Sequence, residues 1–205
     1  MAKVTIIGAG NMGGAISALA ITGGNEVQLL ARDAAQAAAA NESAAVGTIG
    51  DAIAGDIVVL ALPYPAIQDV LAVYAGQLDG KTIVDITNPL DFGTFDDLVV
   101  PAGESATQEI AAAVPGASVL KAFNTNFAAT LHAGTVGSEK TAVFIAGDDA
   151  DAKAALAAIV EGGGLKAVDA GSLKRAHELE AVGFLQMTLA VAEKTSWTSG
   201  FALVD

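Results

Sequence analysis

Cysteine is absent from this 205-residue chain, which excludes disulfides, thiolate metal sites and cysteine nucleophiles. Histidine is nearly so: His132 and His177 are too few for a multi-histidine metal centre. Aromatic residues make up only 5%, so alanine, valine, leucine and isoleucine must fill the core. Basic residues are scarce. Ten Lys and Arg face 23 Asp and Glu, for a formal net charge of −13. That charge repels DNA, RNA and anionic membranes as partners. An anionic small molecule held by local backbone dipoles remains compatible with it. Long apolar runs are missing too. Ile57–Leu62 has strand length, and Gly8 and Gly10 interrupt the apolar start of the chain, so neither a signal peptide nor a membrane span is expected. The expectation is a cytoplasmic protein.

What is present is a hydrophobic fraction of 53%, arranged as short apolar runs alternating with alanine-rich amphipathic stretches. That alternation is the pattern of βα units and a parallel sheet. It predicts strands at Val4–Ile7, Glu26–Leu30, Ile57–Leu60, Thr82–Asp85, Ser118–Ala122, Ala142–Ala146 and Lys166–Asp169. It predicts helices at Met12–Thr22, Ala34–Ala40, Pro65–Tyr74, Thr107–Ala113, Ala150–Val160 and Leu173–Lys194. Asp33 with Gln36, and Ser105 with Gln108, read as capping boxes. Gly23-Gly24 and Gly162-Gly163-Gly164 read as helix stops. The last helix shows an apolar face of Leu173, Ala176, Leu179, Val182, Gly183, Leu185, Gln186 and Leu189, which suits the sheet or a second copy in a homodimer. Residues 86–104 form a long loop, a length that usually serves a binding site. The chain stops soon after the last helix, so a single domain over residues 1–205 is expected: an α/β, doubly wound, mostly parallel sheet with a long C-terminal helix.

The first strand runs into Gly8-Ala9-Gly10-Asn11-Met12-Gly13 and then a helix. A bare GxGxxG is weak evidence, but strand before and helix after make it the Rossmann dinucleotide fingerprint. Gly8 allows the tight turn, Gly10 lets the backbone approach a pyrophosphate, and Gly13 lets helix and strand pack closely. The helix start offers N–H groups and a positive dipole end to phosphates. Asn11 either bonds a phosphate or caps the helix. After the second strand, Leu30 and Ala31 cannot bind a ribose 2′-hydroxyl. Arg32 is placed to grip a 2′-phosphate, which favours NADP(H), while Asp33 suits a helix cap. Ligands of such sheets lie beyond the carboxyl ends of the strands. The candidates there are Leu62-Pro63-Tyr64, Thr87-Asn88-Pro89 and Phe123-Asn124-Thr125-Asn126. Tyr64 either covers the cofactor or merely packs. Asn88 and Asn124 offer donors and acceptors to a carboxamide or polar ring edge, or are simply turn residues.

No catalytic acid, base or nucleophile stands out. His132 reads as a surface or capping residue and His177 as solvated. Carbonyl reduction needs a positioned acid. Hydride transfer to a flavin-type ring does not, because the ring delocalises the charge and solvent supplies the proton.

Gly8–Gly14, Lys121-Ala122-Phe123-Asn124-Thr125, Gly147-Asp148-Asp149, and Val168–Leu173 with Glu178-Leu179-Glu180 together resemble the NADPH-dependent reductases of the deazaflavin coenzyme F420. They also resemble the reductase part of the membrane ferric reductases, and short flavin reductases. The resemblance implies NADPH held by Gly8–Met12 and Arg32, with FMN, FAD or coenzyme F420 as acceptor over the nicotinamide. It also marks a departure: Ala31 stands where the family often has Ser or Thr beside the 2′-phosphate. The start of the chain further resembles pyrroline-5-carboxylate and imine reductases, whose additional helical domain is not expected here. A small imine or carbonyl reductase and a non-enzymatic NADP(H) sensor are the alternative readings.

Overall fold

The computed structural model describes residues 1–204. Strand and helix alternate from the start: β1 (Lys3–Ile7), α1 (Asn11–Thr22), β2 (Glu26–Ala31), α2 (Ala34–Ala40), β3 (Ala45–Thr48), β4 (Ile57–Leu60) and α3 (Ile67–Val73), with a 3-10 turn at Tyr64–Ala66 leading into α3. Then follow β5 (Thr82–Asp85), α4 (Ala106–Ala113), β6 (Ser118–Ala122), α5 (Ala128–Ala133), a small hairpin of β7 (Thr135–Val136) and β8 (Glu139–Lys140), β9 (Ala142–Gly147), α6 (Ala150–Gly162), β10 (Lys166–Gly171) and α7 (Ala176–Val191).

Eight strands form one sheet in the order β10-β9-β6-β5-β4-β1-β2-β3. The six from β6 to β3 pair in parallel, β9 runs antiparallel to β6, and β10 pairs in parallel with β9. The chain winds outward from β1 to β3, then returns to build β4, β5 and β6 on the other side. This reversal between β1 and β4 opens a crevice at the carboxyl ends of the strands, where ligands of open α/β sheets lie. The sheet carries a core on each face. Ile6 and Val59 belong to one cluster, while their neighbours Ile7, Val58 and Leu60 belong to the other. Adjacent side chains of a strand point to opposite faces, so an unbroken apolar run such as Ile57–Leu60 buries both. No helix among the described residues is long and apolar enough to cross a membrane.

All seven expected strands are present, and Asp33 and Ser105 cap their helices, though neither box closes: among the described residues the Gln36 side chain makes no bond back to Asp33, and Gln108 Oε1 accepts from the Ser105 hydroxyl. Asp33 accepts the Ala35 N–H at 2.9 Å, and Ser105 accepts the Gln108 N–H at 3.2 Å. Three features carried no apolar signal. β3 is a four-residue, mostly exposed edge strand, α5 has six residues, and β7 and β8 have two each. The C-terminal helix departs from expectation. Leu173–Arg175 form a 3-10 turn, and α7 then runs only to Val191. Its buried face consists of Ala176, Leu179, Glu180, Gly183, Gln186 and Ala190, while Val182 and Leu185 are exposed. The face turns because the Glu180 carboxylate and the close-packed Gly183 have partners inside, as described below.

Gly13 shows how tightly β1 and α1 are joined: a Cβ added there would lie 1.9 Å from the Gly8 carbonyl oxygen. Main chain cannot move aside as a side chain does. Gly13→Ala is therefore expected to lower stability by about 1–3 kcal/mol or more. Urea unfolding would show this as a lower midpoint, and an unchanged midpoint would contradict the close packing.

Candidate active site

The turn after β1 is built from contacts that only glycine permits. Gly8 has φ +114°, and a Cβ there would lie 2.1 Å from the Ala61 carbonyl oxygen in the turn after β4. Its N–H is bonded to Leu30 O at 2.8 Å. Gly8 and Gly13 thus hold the scaffold together. Gly10 differs: a Cβ added there would meet nothing within 4 Å. The backbone faces open space at the start of α1, where the N–H groups of Asn11, Met12 and Gly13 precede the first helical bond, Gly14 N–H to Gly10 O. Gly10 is itself the N-cap, with no side-chain bond, so Asn11 does not cap the helix; it is exposed. This is a cradle that an anionic diphosphate fits.

Arg32, just past β2, is exposed and forms no hydrogen bond or ion pair among the described residues. Asp33 is engaged as the cap of α2. The guanidinium is therefore free at the β2 end, and the neighbouring carboxylate is not.

From the cradle a cavity of about 760 Å³ extends across the strand ends. It is lined by Gly10, Asn11, Met12, Leu62, Pro63, Tyr64, Asn88 and Asn124, as well as by Thr87 and Asn126. Gly8, Gly13 and Arg32 lie outside its lining. Phe123, named with its strand-end segment, also lines the cavity, while sequence reasoning missed Phe92, Phe127, Met187 and Trp197, with His132 exposed in the last turn of α5. Phe127 and Trp197 sit with ring centroids 5.0 Å apart. They come from segments far apart in the chain, so no spacing rule joins them. His177 is half-buried and not simply solvated, because its Nδ1 hydrogen-bonds Glu104 O at 3.0 Å.

The two asparagines hold each other. Asn88 Nδ2 donates to Asn124 O at 2.9 Å, and Asn124 Nδ2 donates to Asn88 Oδ1 and Leu179 O, both at 2.8 Å. Both amide hydrogens of Asn124 are therefore engaged within the protein. Gly183 of α7 packs on this pair: a Cβ there would lie 2.3 Å from Asn88 Oδ1. Before them, Phe123 is fully buried in the left-handed region, φ +62°, which is strained for a bulky residue. The resulting turn, closed by Asn126 N–H to Phe123 O at 3.0 Å, carries Asn124 and Asn126 to the wall. Thr87 Oγ1, Asn124 Oδ1 and Asn126 Oδ1 are buried without a partner, each at a cost of about 1–3 kcal/mol.

Beneath the wall lies a cluster the sequence did not announce. Asp85, Lys121 and Glu180 are fully buried, and the ammonium lies 2.8 Å from Asp85 Oδ2 and 2.9 Å from Glu180 Oε1. Burial pushes the Glu180 carboxyl above its ordinary range, with the Lys121 charge pulling the other way. At the rim, the Tyr64 hydroxyl donates to the Glu109 carboxylate on α4. Burial and that carboxylate push its pKa up to about 12, so the phenol stays neutral and is a poor acid.

Known proteins are similar to this chain in sequence and fold. Residues 3–89 match the family described as NADP oxidoreductase, coenzyme F420-dependent. A solved structure of a proposed F420-dependent NADP reductase from Arthrobacter sp. FB24 is 25% identical, with a TM-score of 0.88 over 100% of both chains. A hypothetical protein from Sinorhizobium meliloti is 31% identical, with a TM-score of 0.76, over 84% of this chain and 86% of that one. The metalloreductase STEAP3 of Rattus norvegicus is 28% identical over 181 residues; this chain spans 36% of its length. An imine reductase from Myxococcus stipitatus in complex with NADP+, 21% identical with a TM-score of 0.69, covers 94% of this chain and shares the fold.

The tyrosines offer a direct check of the rim. Tyr64 and Tyr74 are both raised above 10.0, Tyr64 to about 12. The folded protein is expected to develop little tyrosinate absorbance near pH 10, while the urea-unfolded chain titrates there. Since the fold favours the neutral phenols, stability should fall as pH rises from about 10 toward 12. Identical folded and unfolded titration curves would contradict the burial and the Glu109 bond.

Proposed function

The chain belongs to the family of coenzyme F420-dependent NADP oxidoreductases, and from that premise we propose that it passes hydride from NADPH to a flavin or deazaflavin. At the coarser level it is an NADP-dependent oxidoreductase. The observation that carries the finer reading is the shape of the site: an open glycine cradle leading into one 760 Å³ cavity walled by Phe92, Phe123, Phe127, Met187 and Trp197. Such a volume lies within the range of small-molecule pockets, roughly 300–1,000 Å³.

The residues present fit the nucleotide. The N–H groups at the start of α1 and the open space at Gly10 would hold the pyrophosphate, and the exposed Arg32 would hold the 2′-phosphate. Leu62-Pro63-Tyr64 would flank the nicotinamide ribose, and Thr87, Asn88 and Asn124 would bound the nicotinamide. When bound, the cofactor supplies the hydride. The protein's part is to orient, to exclude water with apolar side chains and to keep the reacting rings at contact distance. Tyr64, with its raised pKa and its bond to Glu109, is not suited to protonating a product. A flavin-type acceptor needs no such acid, whereas an imine or ketone does.

The test is oxidation of NADPH with FMN, FAD, coenzyme F420 and a cyclic imine offered separately, and NADH as control. Turnover with a tricyclic acceptor is expected; turnover with the imine alone would move the protein to imine reduction. Tight NADPH binding without turnover would favour a sensor. Arg32→Ala is expected to raise the Michaelis constant for NADPH roughly ten- to a hundredfold and leave that for NADH nearly unchanged. Equal effects on both would sink the 2′-phosphate assignment. Gly10→Val should abolish binding of both, because its side chain fills the cradle.

A further inference from the structure

Asp85 and Lys121 are register partners near the ends of β5 and β6, so their side chains emerge side by side on one face of the sheet. The Lys121 ammonium has three hydrogens and meets three acceptors: Asp85 Oδ2 at 2.8 Å, Glu180 Oε1 at 2.9 Å and the carbonyl oxygen of Thr87. Asp85 Oδ1 accepts the N–H of the same Thr87 at 2.8 Å. Both main-chain groups of Thr87 are thus clamped by one charge cluster. Glu180 reaches the other end of the loop, accepting the N–H of Ala106 at 3.0 Å, and the Thr107 hydroxyl bridges to Asp85 Oδ2 at 2.7 Å. Between these two anchors lies the long segment that brings Asn88 and Phe92 to the cavity. Lys121, Asp85, Glu180 and Thr107 are absent from the cavity lining, so they act only through what they hold.

We infer that Lys121 is a positioning residue: through Thr87 and Glu180 it anchors both ends of the loop between β5 and α4, and so fixes the wall that would receive the nicotinamide half of the cofactor. A buried ammonium suits this task because a cation in a dry interior holds several acceptors at once, where a neutral donor holds one or two. Removing it leaves two carboxylates together without a counter-charge and frees the Thr87 carbonyl. The adenosine half of the cofactor would lie at the β1 and β2 ends, away from the cluster.

The inference rests on the NADP reading above, and the experiment separates the two. Dissociation constants for NADPH and for adenosine 2′,5′-bisphosphate, which carries the adenosine half alone, are measured on the wild type, Lys121→Met and Asp85→Asn. Circular dichroism confirms the fold of each. In the wild type NADPH should bind more tightly than the bisphosphate. In Lys121→Met that advantage should fall about tenfold or more and kcat about a hundredfold. Binding of the bisphosphate should stay within about twofold, since the two regions are well separated. Asp85→Asn, which keeps the Lys121–Glu180 pair, should show a smaller loss of the same kind and decides the matter if Lys121→Met does not fold. A folded variant with the NADPH advantage intact would overturn the positioning role. A wild type that binds neither ligand would overturn the cofactor reading and this inference with it.

Discussion

Two carbonyl oxygens set the crevice in which everything else is arranged: that of Ala61 lies against Gly8, and that of Gly8 lies against Gly13. Neither glycine can carry a side chain without moving main chain. The turn after β1, the turn after β4 and the first turn of α1 are thereby fused into one unit at the point where the sheet reverses direction. The third glycine of the motif is open, and the contrast explains the motif. Two positions are needed for backbone contact within the protein, and one for backbone contact with something outside it.

The opposite half of the site follows a different rule. The β5 and β6 ends are organised by charge buried in the sheet face. Removing one partner of such a cluster typically costs about 3–5 kcal/mol, because the remaining charges stay buried without compensation. The cluster supports a strained and incompletely satisfied wall: Phe123 in the left-handed region, and Thr87, Asn124 and Asn126 each with an unpartnered polar atom. Backbone strain and unpartnered polar atoms thus gather in one place, directly over the buried charge cluster.

Local chemistry in the sequence carries the parallel strands, the glycine turn and the caps, because each is written in neighbouring residues. The alternation of apolar runs requires no knowledge of the rest of the chain. The strand-end rule then picks out Leu62, Pro63, Tyr64, Asn88 and Asn124, all of which line the cavity. What escapes is anything assembled from distant segments. Lys121 lies in an apolar strand, Asp85 at the end of another, and Glu180 on a helix whose expected apolar face did not include it. Only the register of β5 with β6 and the packing of α7 bring them together. That packing also rotates the buried face of α7: Ala176, Leu179, Gly183 and Gln186 are buried as expected, while Val182 and Leu185 are exposed. Phe127 and Trp197 are a pair of the same kind, 70 residues apart in numbering and 5.0 Å apart in space. A hint was available in one case: a lysine within an otherwise apolar strand has to find a carboxylate.

The most direct test of direct hydride transfer within one shaped cavity is a single-turnover measurement with NADPH deuterated at C4, one diastereomer at a time, against the acceptor that supports turnover. A cavity that offers the nicotinamide one face to the acceptor predicts slower transfer with one diastereomer and no change with the other. Equal rates with both, in single turnovers limited by the chemical step, would contradict the account.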